Sequence, residues 1–163
     1  MKYLYIGKLV NTHGIKGEVR IISNFKHKDK VFVNGFKFYV GKDKKEYEVE
    51  TYRRHKNFEM VVFKDNHDIN LIEHLKGSLV YINKDDLKLD ENVFLSVDLI
   101  GFSVIINDKL IGIITDVLDT PANEVLVLDN KIMIPYVDSF IIKINKEDKK
   151  VYVKDVKGLV SWK

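Results

Sequence analysis

The segment NTHGIKGEVR, residues 11–20, decides how the first half of this 163-residue chain is interpreted. It lies between two strand-like runs, YLYIGKLV at 3–10 and EVRII at 18–22. A GxxG loop that clamps a nucleic-acid backbone joins two helices, and a Walker phosphate loop needs Gly-Lys-Ser/Thr at the start of a helix, so neither fits these neighbours. The segment therefore predicts a strand-turn-strand in which Gly14 and Gly17 provide backbone freedom and Lys16 points outward.

Period-two alternation predicts further strands in this half. Asn34-Gly35 stands between two β-prone runs and predicts a hairpin over Val31–Val40, because Asn-Gly readily adopts the positive φ angles of a tight turn. Alternation at Tyr47–Arg53 and at Met60–Phe63 predicts a second strand pair, which turns through HKN at 55–57. We therefore expect the first half to be mostly β.

One short helix is also expected in the first half. Asp68 can cap its start, apolar residues follow at helical spacing, and Gly77 can end it. Val80–Ile82 then resumes the alternation of a strand.

The second half consists of short apolar runs separated by polar turns such as Asn107-Asp108 and Asp129-Asn130. Strands connected this closely cannot be parallel neighbours, so we expect an antiparallel meander. An open meander of this length leaves edge strands with unpaired backbone groups unless the sheet closes into a small barrel. The sequence thus predicts a mainly β protein of two small antiparallel β-barrels in series, with domains at 1–84 and 98–163 and a linker at 85–97.

The two halves of the chain differ in charge. Residues 1–85 contain 17 Lys and Arg against 11 Asp and Glu, hence +6, and the remainder contains 10 against 13, hence −3, which together give the chain's +3. All five histidines lie in the first part. A basic half suits nucleic acid and an acidic half suits a basic protein, with chance fluctuation as the competing explanation.

Other features of the composition restrict the class of protein. No apolar run approaches the ~20 residues that span a bilayer, and the first residues lack the pattern of a signal peptide. The chain has no cysteine, which excludes a disulfide framework and a thiolate metal site. We expect a cytoplasmic protein without membrane association.

Several motifs resemble those of the ribosome maturation factor RimM family, and they occur in the family's order along nearly the whole chain. The first is the glycine-rich segment Gly7–Arg20, which is similar to the family's amino-terminal signature. The others are Asp98-Leu-Ile-Gly101, Gly112–Val117, Ala122–Val127, Ile134-Pro135 and Gly158-Leu159.

The resemblance implies a translation-factor-like β-barrel followed by a PRC barrel. It implies a protein without enzymatic activity that binds the head of the immature small ribosomal subunit and assists its assembly and the processing of its RNA. The implied partners are the nineteenth ribosomal protein of that subunit and the neighbouring ribosomal RNA, and we expect the protein to be a monomer. The competing function is a general RNA-binding barrel protein of the translation apparatus.

We hypothesise that the first barrel contacts RNA mainly through phosphates, in a way that salt weakens. The densest basic run is Arg53-Arg54-His55-Lys56. The candidate RNA-binding residues are Lys8, Lys16, Arg20, Arg53, Arg54 and Lys56. The competing interpretation is that Arg53 and Arg54 point to opposite faces at a strand end, so that one of them is only solvated.

For the acidic barrel we hypothesise protein recognition, with Phe94 and Leu95 as apolar anchors beside a loop that offers Pro121, Asn123 and Glu124. Phe94-Leu95 stands where the family usually has Tyr-Tyr, so the hydroxyl contacts of that pair are lost. Pro121 stands where the family usually has Gly, and we expect a stiffer or differently shaped loop. The competing interpretation is that Phe94 and Leu95 fill the gap between the barrels.

The residues indicate no catalytic site. Asp116, Asp119 and Glu124 can gather near one end of the second barrel, but carboxylates beside turns are usually solvated or bonded to local N–H groups. The histidines show no HExxH or closed set of metal ligands, and no serine lies in a nucleophile elbow. We therefore expect a non-enzyme that uses neither a metal nor a cofactor.

Overall fold

The computed structural model describes residues 1–90 and 93–155, and the Gly158-Leu159 motif lies outside them, as does part of the predicted linker. The chain divides into two compact units, Met1–Lys88 and a second that begins at Leu89. This division falls inside the segment expected to be a linker, and the predicted domain limits stay predictions. The two β units in series are confirmed.

The first unit is a closed barrel of six strands in the order β1-β2-β5-β4-β3-β6. Every strand pair in it is antiparallel. Large side chains such as Leu9, Phe38 and Phe63 are fully buried in its core. The strands are β1 Tyr3–His13, β2 Glu18–Ile22, β3 Lys37–Val40, β4 Lys45–His55, β5 Phe58–Phe63 and β6 Leu79–Asn83.

Short helical segments connect these strands. The predicted helix is present as α2, Ile69–Ile72, which continues into a 3-10 turn at Glu73–Leu75. The Asp68 side chain caps it by accepting a hydrogen bond from the Asn70 N–H at 2.9 Å. A second helical turn, α1 at Lys28–Val31, was not expected from the sequence. Across the described residues, every helix is too short or too polar to cross a membrane.

The predicted hairpin over Val31–Val40 is wrong. Val31 ends α1, and only Lys37–Val40 forms a strand, which pairs with β4 and β6. Val31 and Phe32 of the apolar run before Asn34-Gly35 are buried in the core instead, with the Phe32 and Phe38 rings in edge contact at 5.3 Å, whereas Val33 is exposed. The apolar residues and Asn-Gly therefore belong to a loop that packs side chains into the core and does not form a strand pair.

The second unit is a six-stranded sheet in the order β10-β9-β8-β7-β12-β11. Its core is built from residues such as Leu99, Val104, Leu126 and Val151. A 3-10 turn at Ser96–Leu99 precedes the sheet. The strands are β7 Ser103–Ile106, β8 Lys109–Asp119, β9 Glu124–Leu128, β10 Met133–Pro135, β11 Ile141–Asn145 and β12 Lys150–Val153.

The expected all-antiparallel meander of this unit is wrong at one pair. β12 runs parallel to β7, with Val151 opposite Val104. The rule that short connections give antiparallel neighbours holds for consecutive strands, but β7 and β12 are joined through four intervening strands, which supply the long crossover that parallel pairing needs. Short loops alone could not reveal this parallel pair.

Candidate functional site

The glycine-rich segment forms the turn between β1 and β2. Gly14 and Gly17 have φ angles of 70° and 89°, which favour glycine. A Cβ on Gly17 would lie 2.0 Å from the carbonyl oxygen of Asn66, so this position also requires close backbone approach. The Ile15 carbonyl accepts a hydrogen bond from the Ile69 N–H at 3.0 Å. The turn is thus fixed against the segment before α2, and it leaves Lys16 exposed.

Arg53 lies on the outer face of the barrel. Arg53 and Arg20 both stand opposite Met60, so the register brings these two guanidinium groups to one face. Arg53 donates two hydrogen bonds to the Glu18 carboxylate, at 2.9 and 2.7 Å. These bonds lower the pKa of Glu18 against the opposing effect of burial. Arg53 is therefore a paired cation with about half of its side chain exposed.

Arg54 points to the other face of the same strand, as alternation requires. Its guanidinium donates to the Glu59 carboxylate at 3.2 Å, and the Lys28 ammonium lies 3.5 Å from the same carboxylate. The Tyr52 hydroxyl donates to Glu59 at 2.7 Å. Burial first, and then this bond and the charge of Glu59, raise the pKa of Tyr52 to about 12. Glu59 is only 1% exposed, so it depends on these donors.

We call Arg53, Arg54 and their acids Glu18 and Glu59 the arginine cluster. The sequence offered both interpretations of the two arginines, and the structure has them on opposite faces with each paired to an acid. Nothing in the sequence marked Glu18 or Glu59 as partners, since their contacts depend on the register of β2, β4 and β5.

Arg20 is engaged by aromatic and imidazole groups. Its guanidinium lies 2.6 Å from Nδ1 of His13, and because a guanidinium has only donors, that nitrogen must be the acceptor. The guanidinium also lies over the Phe58 ring, 5.5 Å from its centre. The His13 and His55 rings are 6.1 Å apart. Arg20 is thus held within the outer face of the sheet.

The three lysine candidates are placed differently from the arginines. Lys8 is exposed on β1, Lys16 in the β1–β2 turn, and Lys56 in the β4–β5 turn with a φ of 56°. Within residues 1–90 and 93–155 none of the three forms an ion pair. Their charges are available to a polyanion without first breaking a pair.

In the second unit, the structure brings together the two segments that the sequence suggested for protein recognition. The Ser96 hydroxyl donates to the Glu124 carboxylate at 2.7 Å, and the Tyr136 hydroxyl donates to the backbone carbonyl of Phe94. Phe94 packs against the core and is partly buried. Leu95 is 5% exposed, so it supports this surface from within and offers little area to a partner.

The loop beside these residues is held by local hydrogen bonds. The Thr120 hydroxyl donates to the Asn123 carbonyl at 2.8 Å, and Pro121 remains exposed at the tip. Burial, followed by the charges of Glu124, Asp138 and Asp98, raises the pKa of Tyr136. The surface around Tyr136 is therefore acidic. Sequence reasoning missed Ser96 and Tyr136, because only the fold brings them to this loop.

No metal centre is apparent in the part of the chain that the structure describes. There, no three His, Cys, Asp or Glu side chains gather in a way that would hold an ion.

The fold and these surfaces define a class of two-unit β proteins, a small closed barrel with basic surface groups followed by a six-stranded unit with an acidic surface. Residues 4–87 match the RimM N-terminal domain and residues 96–159 match the RimM PRC barrel domain. The chain belongs to the RimM family.

Curated relatives match along almost the full length. A ribosome maturation factor RimM from Exiguobacterium sp. is 34% identical, over 98% of each chain. The one from Staphylococcus aureus is 37% identical, over 95% of this chain and 97% of the relative. Among solved structures, a 16S ribosomal RNA processing protein RimM from Pseudomonas aeruginosa is similar with 22% identity and a TM-score of 0.48, over 96% of this chain and 99% of that one.

Proposed function

We propose that this chain is a ribosome maturation factor. It binds the head of the immature small ribosomal subunit, at the nineteenth ribosomal protein and the neighbouring ribosomal RNA, and assists assembly and RNA processing. The observation that carries the proposal is that both units match the RimM domains in order, with relatives named ribosome maturation factors along nearly the whole chain.

The first unit supplies the RNA contacts. Lys8, Lys16 and Lys56 are exposed cations that can neutralise phosphates and release counterions. The Arg53 guanidinium already donates to Glu18. It therefore contacts RNA either as part of that neutral ion pair or after leaving Glu18 for a phosphate. Phosphate contacts of this kind position the protein without reading base sequence.

The second unit supplies the protein contact. Its acidic surface near Tyr136, formed with Glu124, Asp98 and Asp138, complements a basic ribosomal protein. Pro121 and Asn123 lie in the loop that carries Glu124, and the partly exposed Phe94 is the apolar member of this surface.

The two contacts together explain assistance without covalent chemistry. RNA and a basic ribosomal protein can associate in several arrangements, and a binder of both favours one arrangement by its differential affinity. The protein acts as a monomer in the cytoplasm and needs neither a metal nor a cofactor for this role.

Co-sedimentation tests the proposal. The purified chain is centrifuged with immature small subunits, mature small subunits and large subunits at two salt concentrations. We expect pelleting that is strongest with immature small subunits and weaker at the higher salt concentration. Equal pelleting with small and large subunits would indicate a general RNA-binding protein, and absence of pelleting would contradict the proposal outright.

A further inference from the structure

A cavity of about 340 Å³ opens in the first unit between the β3–β4 turn and the segment that leads into β6. We call it the lysine pocket. Its lining includes three lysines, Ser78 and Tyr81, and among the described residues no Asp or Glu belongs to it. The lysines are Lys42, Lys44 and Lys76.

Backbone geometry holds the two sides of the lysine pocket together. Gly41 and Gly77 have φ angles of 80° and 87°, which let each segment turn sharply at the pocket wall. The Gly41 N–H donates to the Leu79 carbonyl at 2.9 Å, and the Gly77 N–H donates to the Leu9 carbonyl at 2.8 Å. Lysines from two segments that are distant in sequence therefore converge on a site that the backbone has already formed.

Lys44 is positioned by aromatic rings. Its ammonium lies 4.2 Å from the centre of the Tyr81 ring and 5.7 Å from that of Tyr3. These cation–π contacts hold the ammonium at the pocket without neutralising its charge. A cation fixed in this way loses less side-chain freedom when it binds an anion.

Aromatic surface continues from the lysine pocket along the outer face of the barrel. The ring of Tyr81 is in edge contact with those of Tyr3 and Tyr5, at 6.3 and 6.1 Å. Tyr3 and Tyr5 are 44% and 38% exposed. Exposed rings beside a cationic site form the combination with which proteins bind single-stranded nucleic acid, since every unpaired base can stack on such a ring.

Glu46 and Asp86 lie near Tyr39 and are not among the residues that line the lysine pocket. The charges of Glu46 and Asp86 act on the buried hydroxyl of Tyr39. Glu46 also lies 3.8 Å from the Lys37 ammonium, which offsets its charge. Among the residues that the structure describes, the charged side chains of the lining are those of Lys42, Lys44 and Lys76, and Asp43, which stands between two of them in the turn, is not part of it.

We propose that the lysine pocket and the adjoining Tyr3 and Tyr5 bind single-stranded RNA. A backbone phosphate lies among the three ammonium groups and accepts a hydrogen bond from Ser78, while a neighbouring unpaired base stacks on an exposed tyrosine. This rests on the proposed function in that the partner is RNA. It adds a second site, because the pocket lies at the β3–β4 turn and the segment before β6, whereas the arginine cluster is carried by β2, β5 and the end of β4.

Fluorescence anisotropy with a single-stranded RNA of about ten nucleotides tests the site on the full chain. The pocket variant is Lys42→Gln/Lys44→Gln/Lys76→Gln. The matched control is Lys109→Gln/Lys146→Gln/Lys154→Gln, which removes three exposed lysines of the second unit and causes the same change in charge. We expect the pocket variant to bind about tenfold or more weakly, with a salt slope lower by about 2, and the control to bind almost as the unmodified chain does.

Two further measurements separate base stacking from phosphate binding. Tyr5→Leu is expected to weaken binding of the single strand by about fivefold or more and to leave binding of duplex RNA unchanged, because duplex bases are already stacked. Inorganic phosphate at the same ionic strength is expected to compete weakly. Equal loss in the pocket and control variants, or equal affinity of the unmodified chain for single and double strands, would overturn the proposal.

The result is distinguishable from failure of the proposed function. If the unmodified chain pellets with immature small subunits but the pocket variant binds the RNA oligonucleotide normally, the lysine pocket is not an RNA site and the maturation role stands. Circular dichroism spectra and unfolding curves of the variants establish that they are folded before binding is compared.

Discussion

The arginine cluster and the lysine pocket are two cationic regions of the same barrel, and they differ in what faces the cations. In the cluster, Arg53 and Arg54 each bind a carboxylate. The pocket is lined by three lysines together with Ser78 and Tyr81, and the Lys44 ammonium contacts the Tyr81 ring. The two arginines of the densest basic run are therefore paired with acids, while lysines from two distant segments line one pocket whose described lining includes no acid.

This difference shows that the count of basic residues in a segment does not determine the potential at the surface. Pairing depends on cross-strand register, which also decides what each region contributes to stability. The buried Glu59 makes the cluster structural, whereas the pocket can lose its lysines without exposing a buried charge.

The largest expected difference between the two regions is the loss in free energy of unfolding when a glycine next to each of them is replaced. Gly17→Ala, next to Glu18, should lower the free energy of unfolding by about 2–5 kcal/mol, because it combines a positive φ with a Cβ placed 2.0 Å from the Asn66 oxygen. Gly77→Ala, at the pocket, meets open space and should cost only about 1–2 kcal/mol. Urea unfolding followed by circular dichroism measures both, and equal losses would contradict the close contact at Gly17.

Substitutions of the two acids in the arginine cluster should differ by a smaller amount in the free energy of unfolding. Glu59→Gln should lower the free energy of unfolding by about 1–3 kcal/mol, since the amide cannot satisfy the donors of Tyr52, Arg54 and Lys28 together. Glu18→Gln alters an exposed pair and should cost at most about 1 kcal/mol. The same urea experiment compares the two variants, and a larger loss for Glu18→Gln would mean that the buried network is not the stabilising one.

Much of the fold could be predicted from the sequence. Alternation located β4, β5 and β6, and the Asp68 cap located α2. The errors have physical causes. Val31 and Phe32 looked like a strand because an apolar run is equally consistent with packing in a core, and the parallel partner of β12 was missed because non-local pairing leaves no local pattern.

The sites were less predictable than the fold. The sequence identified Arg53 and Arg54 as a basic run but not their pairing with Glu18 and Glu59, which follows from register. Lys42 and Lys44 are visible as a basic turn in GKDKK, yet Lys76 joins them only through the approach of β3 and β6. Tertiary structure decides which charges meet, so a linear pattern could not assign this pocket.

The smallest expected effect is a change in RNA affinity. It tests whether the ion pair with Glu18 prevents Arg53 from binding RNA. At about pH 7 Glu18 is ionised, since its pKa lies below the usual 4.5, a direction set mainly by the bond from Arg53. Glu18→Gln frees the guanidinium, so the affinity for single-stranded RNA should rise by less than about tenfold and the salt slope should steepen by about 0.7, the value for one added phosphate contact on a single strand.

Glu147→Gln, an exposed acid of the second unit, makes the same change in net charge and should have little effect. If both variants bind equally more tightly, net charge alone acts. If neither does, Arg53 is a structural residue, and the RNA contact of the barrel belongs to its lysines.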